Sequence, residues 1–331
     1  MTTAPRTAAS PGIPPAGATA SSGARPSAVT ARDLARATAT RQRRGARFKL
    51  WAGAVCTALV VLPVALAGLL PLPGADAQDL SRRRLPPLSE GHLFGTDQLG
   101  RDLLSRVLHG GQVSLTVGIL AVLVSGLIGV AAGSAAGFFG GWVDAVVSRL
   151  LEAQLALPLL MMLLLVVALF GPSVVVITCV IAVAQWPEVA RLTRSLVLVE
   201  REKPYVAAAR VLGLRGWSVL GRHVIPNVIR PASLVVLLLL AQAVLLESAL
   251  SFLGAGPQRP FATWGRIISD GQDYITTSWW LVTLPGLVIA LLVVGVNLLG
   301  DGLRDRTGTT KAPRGARVPR GTRAARVGKG A

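Results

Sequence analysis

Charged residues inside or at the edge of long apolar stretches are the first candidates for chemistry, because a charge there is costly and is kept for a purpose. Five stand out in this 331-residue chain: Asp144, Arg149, Glu152, Glu247 and Asp301. Arg149 and Glu152 lie at i and i+3 on one helix face, a spacing that permits a local ion pair; a direct part in moving a solute is the other reading. Glu247 has no charged neighbour within four residues, while Gln242, Ser248 and Ser251 make its surroundings polar. It faces either a central pathway or a partner helix. No relay of Asp, Glu and His runs through successive apolar segments, which counts against proton-coupled transport. Enzyme signatures are also missing: there is no GxxxxGK[ST] loop, HExxH, CxxC or GxSxG. His92, His109 and His223 fall in segments on two different sides, so no metal site is expected. Cys56 and Cys179 sit in apolar runs and imply no disulfide framework.

The elements that must hold these residues are set by composition. The chain is 52% hydrophobic and 15% charged with a mean hydropathy of +0.57, yet its net charge is +18. Sixteen of those charges belong to residues 1–49 and 302–331, rich in Ala, Pro, Thr, Gly and Arg. Such tails cannot bury enough apolar surface to fold, so 1–47 and 306–331 are expected to be disordered. The charge is therefore not the basic stripe of a nucleic-acid-binding core, and no nucleic-acid partner is expected; anionic lipid headgroups are the natural contact. Between the tails, 48–305 reads as an all-α membrane protein, a six-helix transmembrane bundle. The spans are expected at 50–70, 113–137, 150–170, 172–188, 231–253 and 277–300, each near the 20 residues a bilayer needs. The first is too long, and starts too far from Met1, for a removable signal peptide.

Loop charges give orientation. The segment 188–230 carries eight basic residues and three acids, whereas the loops between spans 1 and 2 and between spans 5 and 6 are each balanced. Segment 188–230 and both termini are thus expected in the cytoplasm, with Trp51, Trp279 and Trp280 at the interfaces. In the second span, Gly129, Gly133 and Gly137 make two small-xxx-small steps suited to close helix contact. The 188–230 segment is too long for a connector. Within it, 205–212 has helical character and stops at Gly213, a natural C-cap position. A second helical piece, 216–225, ends at Pro226 and Asn227. Ala207, Ala208 and Ala209 give the first piece a low profile that can enter a groove; a helical hairpin resting on the membrane is the plainer reading.

This segment resembles the EAA loop of the inner-membrane permease subunits of ATP-binding-cassette importers, whose pattern is E-A-A-x3-G, nine residues, then hydrophobic-x-hydrophobic-Pro. Here Ala207, Ala208, Ala209 and Gly213 are followed by His223 and Pro226 at the matching places. FGTDQLGRD at 94–102, LLSR at 103–106, VSL at 113–115, GGWVD at 140–144, LSFLG at 250–254 and NLLGDGLRD at 297–305 are similar to the C-type permease of the dipeptide, oligopeptide and nickel branch. The resemblance covers 48–305. It departs at Ala207, where the family usually has Glu, at Glu152 for Asp, at Ala255 for Leu and at His223 for a hydrophobic residue.

The resemblance implies a permease without its own ATPase site and without a cofactor, moving short peptides, nickel or other small solutes by alternating access. It implies a second permease as heterodimer partner, two ATPase subunits that bind ATP and Mg, and an extracytoplasmic substrate-binding protein. It makes Tyr205, Ala207, Ala208, Ala209, Gly213, His223, Pro226 and Asn227 a coupling element seated on an ATPase. Thr96, Asp97, Gly100, Arg101 and Asp102 become candidates for an extracytoplasmic cap or docking site. Glu247, Gln242, Gly129 and Gly133 remain candidates for the pathway or for helix contact. An ion-coupled carrier, which would work without ATP, and a membrane scaffold acting through its basic tails are the competing readings.

Overall fold

An apolar run long enough to cross hydrocarbon must close its own backbone hydrogen bonds, and an uninterrupted helix does so along the segment. In the computed structural model, which describes residues 28–89, 91–258 and 262–307, the chain is helical and, among the described residues, contains no strand. The helices are α1 (Ala28–Ala65), α2 (Leu103–Phe139), α3 (Gly141–Leu155), α4 (Leu159–Phe170), α5 (Val174–Glu200), α6 (Pro204–Val211), α7 (Gly216–Val219), α8 (Ile225–Phe252), α9 (Trp264–Gly271) and α10 (Trp280–Thr307). Five stretches can each cross a membrane: Gly45–Ala65 of α1, α2, α5, Gly216–Phe252 and α10. The pair α3 and α4, bent by 90°, makes a sixth if the two helices form one broken span. The chain divides at 42/43; residues 28–42 are the first part of α1, and the bundle belongs to Arg43–Ala331. Residues 66–89, 91–102 and α9 lie at one end of the bundle, here the cap end; α6 and α7 lie at the other, the loop end.

Several expected boundaries move, each for a local reason. Residues 28–47, read above as disordered tail, are helical; no Gly or Pro interrupts 28–44, and Ala and Arg favour helix. Residues 1–27 and 308–331 lie outside the described residues. The third span is broken rather than straight, at 156–158, because Pro158 has no N–H to give and bars helix in the residue before it. The fourth does not stop at 188 but runs to Glu200, with Pro187 inside it. Pro187 leaves the Val183 carbonyl without its helical donor, and the Gln154 side-chain amide of α3 takes that place at 2.6 Å. Beyond Pro187, Val189, Ala190, Thr193 and Val197 continue the buried face, so the helix has reason to go on. The fifth begins at Ile225 rather than 231, and the helical piece from 216 does not end at Pro226. A π-turn over Leu220–Val224 joins α7 to α8, and Pro226 sits in α8's first turn, where its missing N–H costs nothing.

Close contact between α2 and α5 organises the middle. A Cβ added to Gly129 would lie 2.5 Å from the Val189 Cβ, one on Gly133 2.3 Å from the Ala190 carbonyl oxygen, and one on Gly137 2.8 Å from the Arg194 carbonyl oxygen. Asp144 of α3 accepts two bonds from Arg194 of α5, at 2.5 and 2.6 Å, just past the end of that stripe. On the other flank, Gly53 of α1 and Gly295 of α10 bring those helices to backbone distance. Trp51 and Trp279 are exposed as interfacial residues should be, but Trp280 is buried and reaches the Thr96 carbonyl at 3.4 Å. It is a cap residue rather than part of a belt.

The cap is a buried polar structure. Asp97 is 1% exposed; its Oδ1 accepts from the backbone N–H of Leu99 and Arg101 at 2.8 and 2.9 Å, and its Oδ2 from Arg101 Nε and Arg106 at 2.7 and 2.8 Å. Arg106 reaches on to Asp270 of α9 at 3.3 Å. Asp102 caps α2 through the Ser105 N–H at 2.7 Å and pairs with His92 at 2.8 Å. Thr96 accepts from the Leu85 N–H and donates to the Arg82 carbonyl. At Gly100 φ is +72°, and a Cβ there would stand 1.7 Å from the Asp79 carbonyl oxygen, so only glycine fits.

Two outcomes follow. Gly133→Ala should destabilise the detergent-purified protein by about 1–3 kcal/mol through overpacking, while Gly286→Ala, which meets nothing within 4 Å, should leave the thermal midpoint unchanged; equal midpoints would sink the close-contact account. Asp97→Asn removes the carboxylate that Arg101 and Arg106 share, leaving Arg106 only Asp270 and Arg101 only Asp76 at 3.9 Å, and should cost about 3–5 kcal/mol, read as a lowered thermal midpoint and reduced membrane abundance.

Candidate functional site

The loop end carries the densest set of candidate residues. Because α5 extends to Glu200 and the helix resumes at Gly216, the stretch free of the long helices shrinks from 188–230 to about 201–215. Within it, α6 is short and starts with Pro204 in its first turn. Its end is a Schellman motif: the Gly213 N–H bonds to the Arg210 carbonyl at 3.0 Å and the Leu214 N–H to the Ala209 carbonyl at 3.3 Å, with Gly213 at φ +77°. Val206 and Ala209 turn inward against Val219, Leu220, Val224 and Val228. Ala207 and Ala208 are exposed on the opposite side. At the tip, Val211 and Leu212 are 87% and 80% exposed, and Trp217 is 69% exposed beside them in sequence.

A polar knot holds the base of this tip. The Tyr205 hydroxyl donates to the Glu200 carboxylate at 2.5 Å and accepts from Asn227 at 3.1 Å, while Asn227 also donates to the His223 carbonyl at 2.9 Å. Lys203 pairs with the other Glu200 oxygen at 2.5 Å. Burial, and then the bond to Glu200, push the Tyr205 hydroxyl above its ordinary range, so it remains a donor at neutral pH. The knot therefore ties α5, α6 and α8 together. The loop end of α2 joins it: Arg201 donates to the Gly137 carbonyl at 2.8 Å, the Arg210 guanidinium lies 5.0 Å over the Phe138 ring, and the Phe139 and Trp217 rings are 4.3 Å apart.

Of the loop candidates, Tyr205, His223 and Asn227 meet in the knot; Ala207, Ala208 and Gly213 lie on the exposed helix and its tip, and Ala209 on the buried side. Pro226 is exposed at the start of α8. The cap candidates Thr96, Asp97, Arg101 and Asp102 are brought together and buried, with Gly100 allowing the turn between them. Glu247 and Gln242, five positions apart on α8, are separated: Glu247 is fully buried and accepts from Ser251 at 2.6 Å, while Gln242 is exposed and lines a cavity. Gly129 and Gly133 are helix-contact residues. Arg149 and Glu152 pair at 3.3 Å on an exposed face. Sequence reading missed Glu200 and Lys203, whose i, i+3 spacing was a visible signal, and Arg194, whose partner Asp144 lies fifty residues away in the chain and gave none. Among the described residues, no group of three His, Cys, Asp or Glu is placed to hold a metal ion.

Known proteins share this architecture. A probable D,D-dipeptide transport system permease protein of Escherichia coli K12 is 38% identical over 252 residues, covering 76% of this chain and 84% of that protein. The oligopeptide transport system permease protein of the same organism is 38% identical over 255 residues, 77% of this chain and 84% of its own. The inward-facing methionine ABC transporter structure is similar in fold, with a TM-score of 0.50 at 16% identity over 61% of this chain and 95% of that one. The model of the family described as binding-protein-dependent transport system inner membrane component matches residues 129–308. The bent third span, the α2–α5 contact and the projecting α6 are thus features of a multi-pass membrane protein that belongs to the binding-protein-dependent transport system inner membrane components.

Proposed function

We propose that this chain is one of two permeases in an ATP-driven importer of short peptides. A second permease completes the pathway, two separate ATPase subunits bind ATP and Mg and supply the energy, and an extracytoplasmic binding protein delivers the solute. Peptide cargo is supported by the names of the relatives, which are dipeptide and oligopeptide permeases. The orientation, with termini and α6 in the cytoplasm and the cap outside, is supported by the net +5 of 188–230 against two balanced loops.

The observation that carries the reading is α6 itself. A short helix with an exposed apolar tip, Val211 and Leu212, is unstable alone in water and is suited to insertion into a groove of another protein. Its base is bonded to α5 and α8, so a push on the tip reaches two long helices at once. Rigid-body rocking of the bundle, exposing the pathway to each side in turn, is the motion such a lever serves. Ala207 stands on the exposed face where relatives of this loop usually carry Glu, so docking here relies on shape and apolar contact rather than on a carboxylate at that position. The cap residues, being buried, act by holding the outer surface in shape for the binding protein rather than by touching it.

Gly213→Asp places a charge at the tip and a residue that pays roughly 1–2 kcal/mol for positive φ. It should abolish ATP-driven peptide uptake in proteoliposomes while the permease remains inserted at normal abundance. Normal uptake would defeat the proposal, and uptake by the wild type without ATP would favour an ion-coupled carrier. Tyr205→Phe removes the donor to Glu200, worth about 1.5–3 kcal/mol for a hydrogen bond to a charged group, and should lower coupled uptake severalfold with the ATPase activity of the complex retained.

A further inference from the structure

Glu188 is the first charge after the apolar run of the fourth span, and the structure places it near the middle of α5. At 1.5 Å per residue it lies roughly 20 Å from either end of that helix. It is exposed. Asp144 has Arg194 and Glu247 has Ser251, whereas Glu188 has no ion-pair partner among the described residues. Facing lipid hydrocarbon, a carboxylate would be costly, up to about 2.5–3.5 kcal/mol at full depth. It does not stand alone, however. Glu188, Gln242 of α8 and Asn297 of α10 line one cavity of about 230 Å³, walled by apolar residues that include Leu245 and Val293. Three helices from distant parts of the chain each contribute one polar side chain to the same wall, and each of the three is exposed.

The chemistry of this wall is selective. Asn297 donates its amide hydrogen to the Val293 carbonyl at 2.9 Å, which leaves its side-chain oxygen free to accept. Gln242 offers a second amide oxygen, and Glu188 supplies negative charge and further acceptors. A primary ammonium carries one positive charge and three donors and no acceptor; a carboxylate with two amide oxygens is its complement. The cavity has room for a group of that size rather than for a whole oligopeptide.

We propose that Glu188, Gln242 and Asn297 form a binding site on the wall of the translocation pathway that takes the primary ammonium group of the passing solute. The proposal rests on the reading of this chain as a peptide permease, in which the N-terminal ammonium of the peptide is the group received. It places the pathway along the groove between α5, α8 and α10, away from the buried Glu247.

The test uses the complete importer, with Cys56 and Cys179 replaced by alanine and Gln242→Cys as reporter. Labelling rates are measured for the ethylammonium and ethylsulfonate methanethiosulfonates, each relative to its rate with a small free thiol. The cationic reagent should react about tenfold faster in relative terms, the effect of one carboxylate at short range in a partly wet site. Glu188→Gln should bring the ratio to about one and Glu188→Asp should keep it; Asn297→Cys is a second reporter on the same wall. A reporter that neither reagent reaches, or a ratio unchanged by Glu188→Gln, overturns the site. So does loss of the second permease from the purified Glu188→Gln complex, which would make Glu188 a subunit-interface residue. Charge preference that disappears with Glu188→Gln, in an importer that takes up no peptide, would leave the site standing and sink the peptide reading instead.

Discussion

Three glycines one turn apart let α2 and α5 meet backbone to backbone, and much of the bundle is arranged around that seam. Contact at this range has no room for a Cβ at Gly133, where the nearest atom is a main-chain oxygen that no rotamer change can move away. In a membrane, where burying apolar surface gives helices little reason to associate, such fitted contact is a main source of adhesion. The seam also sets register. With Gly129, Gly133 and Gly137 against Val189, Ala190 and Arg194, the end of α2 arrives beside the end of α5. Arg201 can then reach the Gly137 carbonyl, and Arg194 can reach Asp144. The loop end is thus placed by a feature that lies mostly outside it.

Both ends of the bundle are tied by polar networks set beside apolar clusters. At the cap, Asp97 satisfies two backbone and two guanidinium donors, and Arg106 extends that network to α9. At the loop end, Glu200, Tyr205 and Asn227 do the same for α5, α6 and α8 on a smaller scale. Hydrogen-bonded networks of this kind are strict about geometry, since a member that shifts leaves a buried group unpaired. At each end they tie together segments that are distant in the chain.

The elements were legible in the sequence where apolar length and glycine spacing carried the signal. The seam glycines, the spans around α2 and α10, and the stop at Gly213 all follow from periodicity and backbone chemistry. Charges and prolines were the main sources of error. The spans were expected to stop at the first charges, Glu188 and Arg230, and a helical piece at Pro226, yet all three residues lie within helices. Pro187 is tolerated because Gln154, on a helix more than thirty residues earlier, donates to the stranded Val183 carbonyl, and no local pattern announces such a donor. Pro158 reads as an ordinary member of an apolar run and proves to be the one that breaks it. The polar knot was half visible: Tyr205, His223 and Asn227 carried the motif, while Glu200 did not, because its part depends on α5 being longer than its apolar run suggests.

That extra length has a functional consequence. If the fourth span ended at 188, Glu188 would be a solvated loop residue and its charge would need no explanation. Carried on α5 to the middle of the bundle, the same carboxylate must be reconciled with an apolar medium, and it shares its wall with the amides of Gln242 and Asn297. The loop's positive balance changes meaning too. Arg191 and Arg194 lie on the half of α5 nearer the loop end, with Arg194 bound to Asp144, and the charges left near the tip are Arg201, Glu202, Lys203, Arg210 and Arg215. Of these Arg201 and Lys203 are already engaged with Gly137, Glu202 and Glu200. The projecting surface of α6 is consequently more apolar than the count of its loop implies, with Val211 and Leu212 exposed at its tip, which is the feature on which the proposed docking rests.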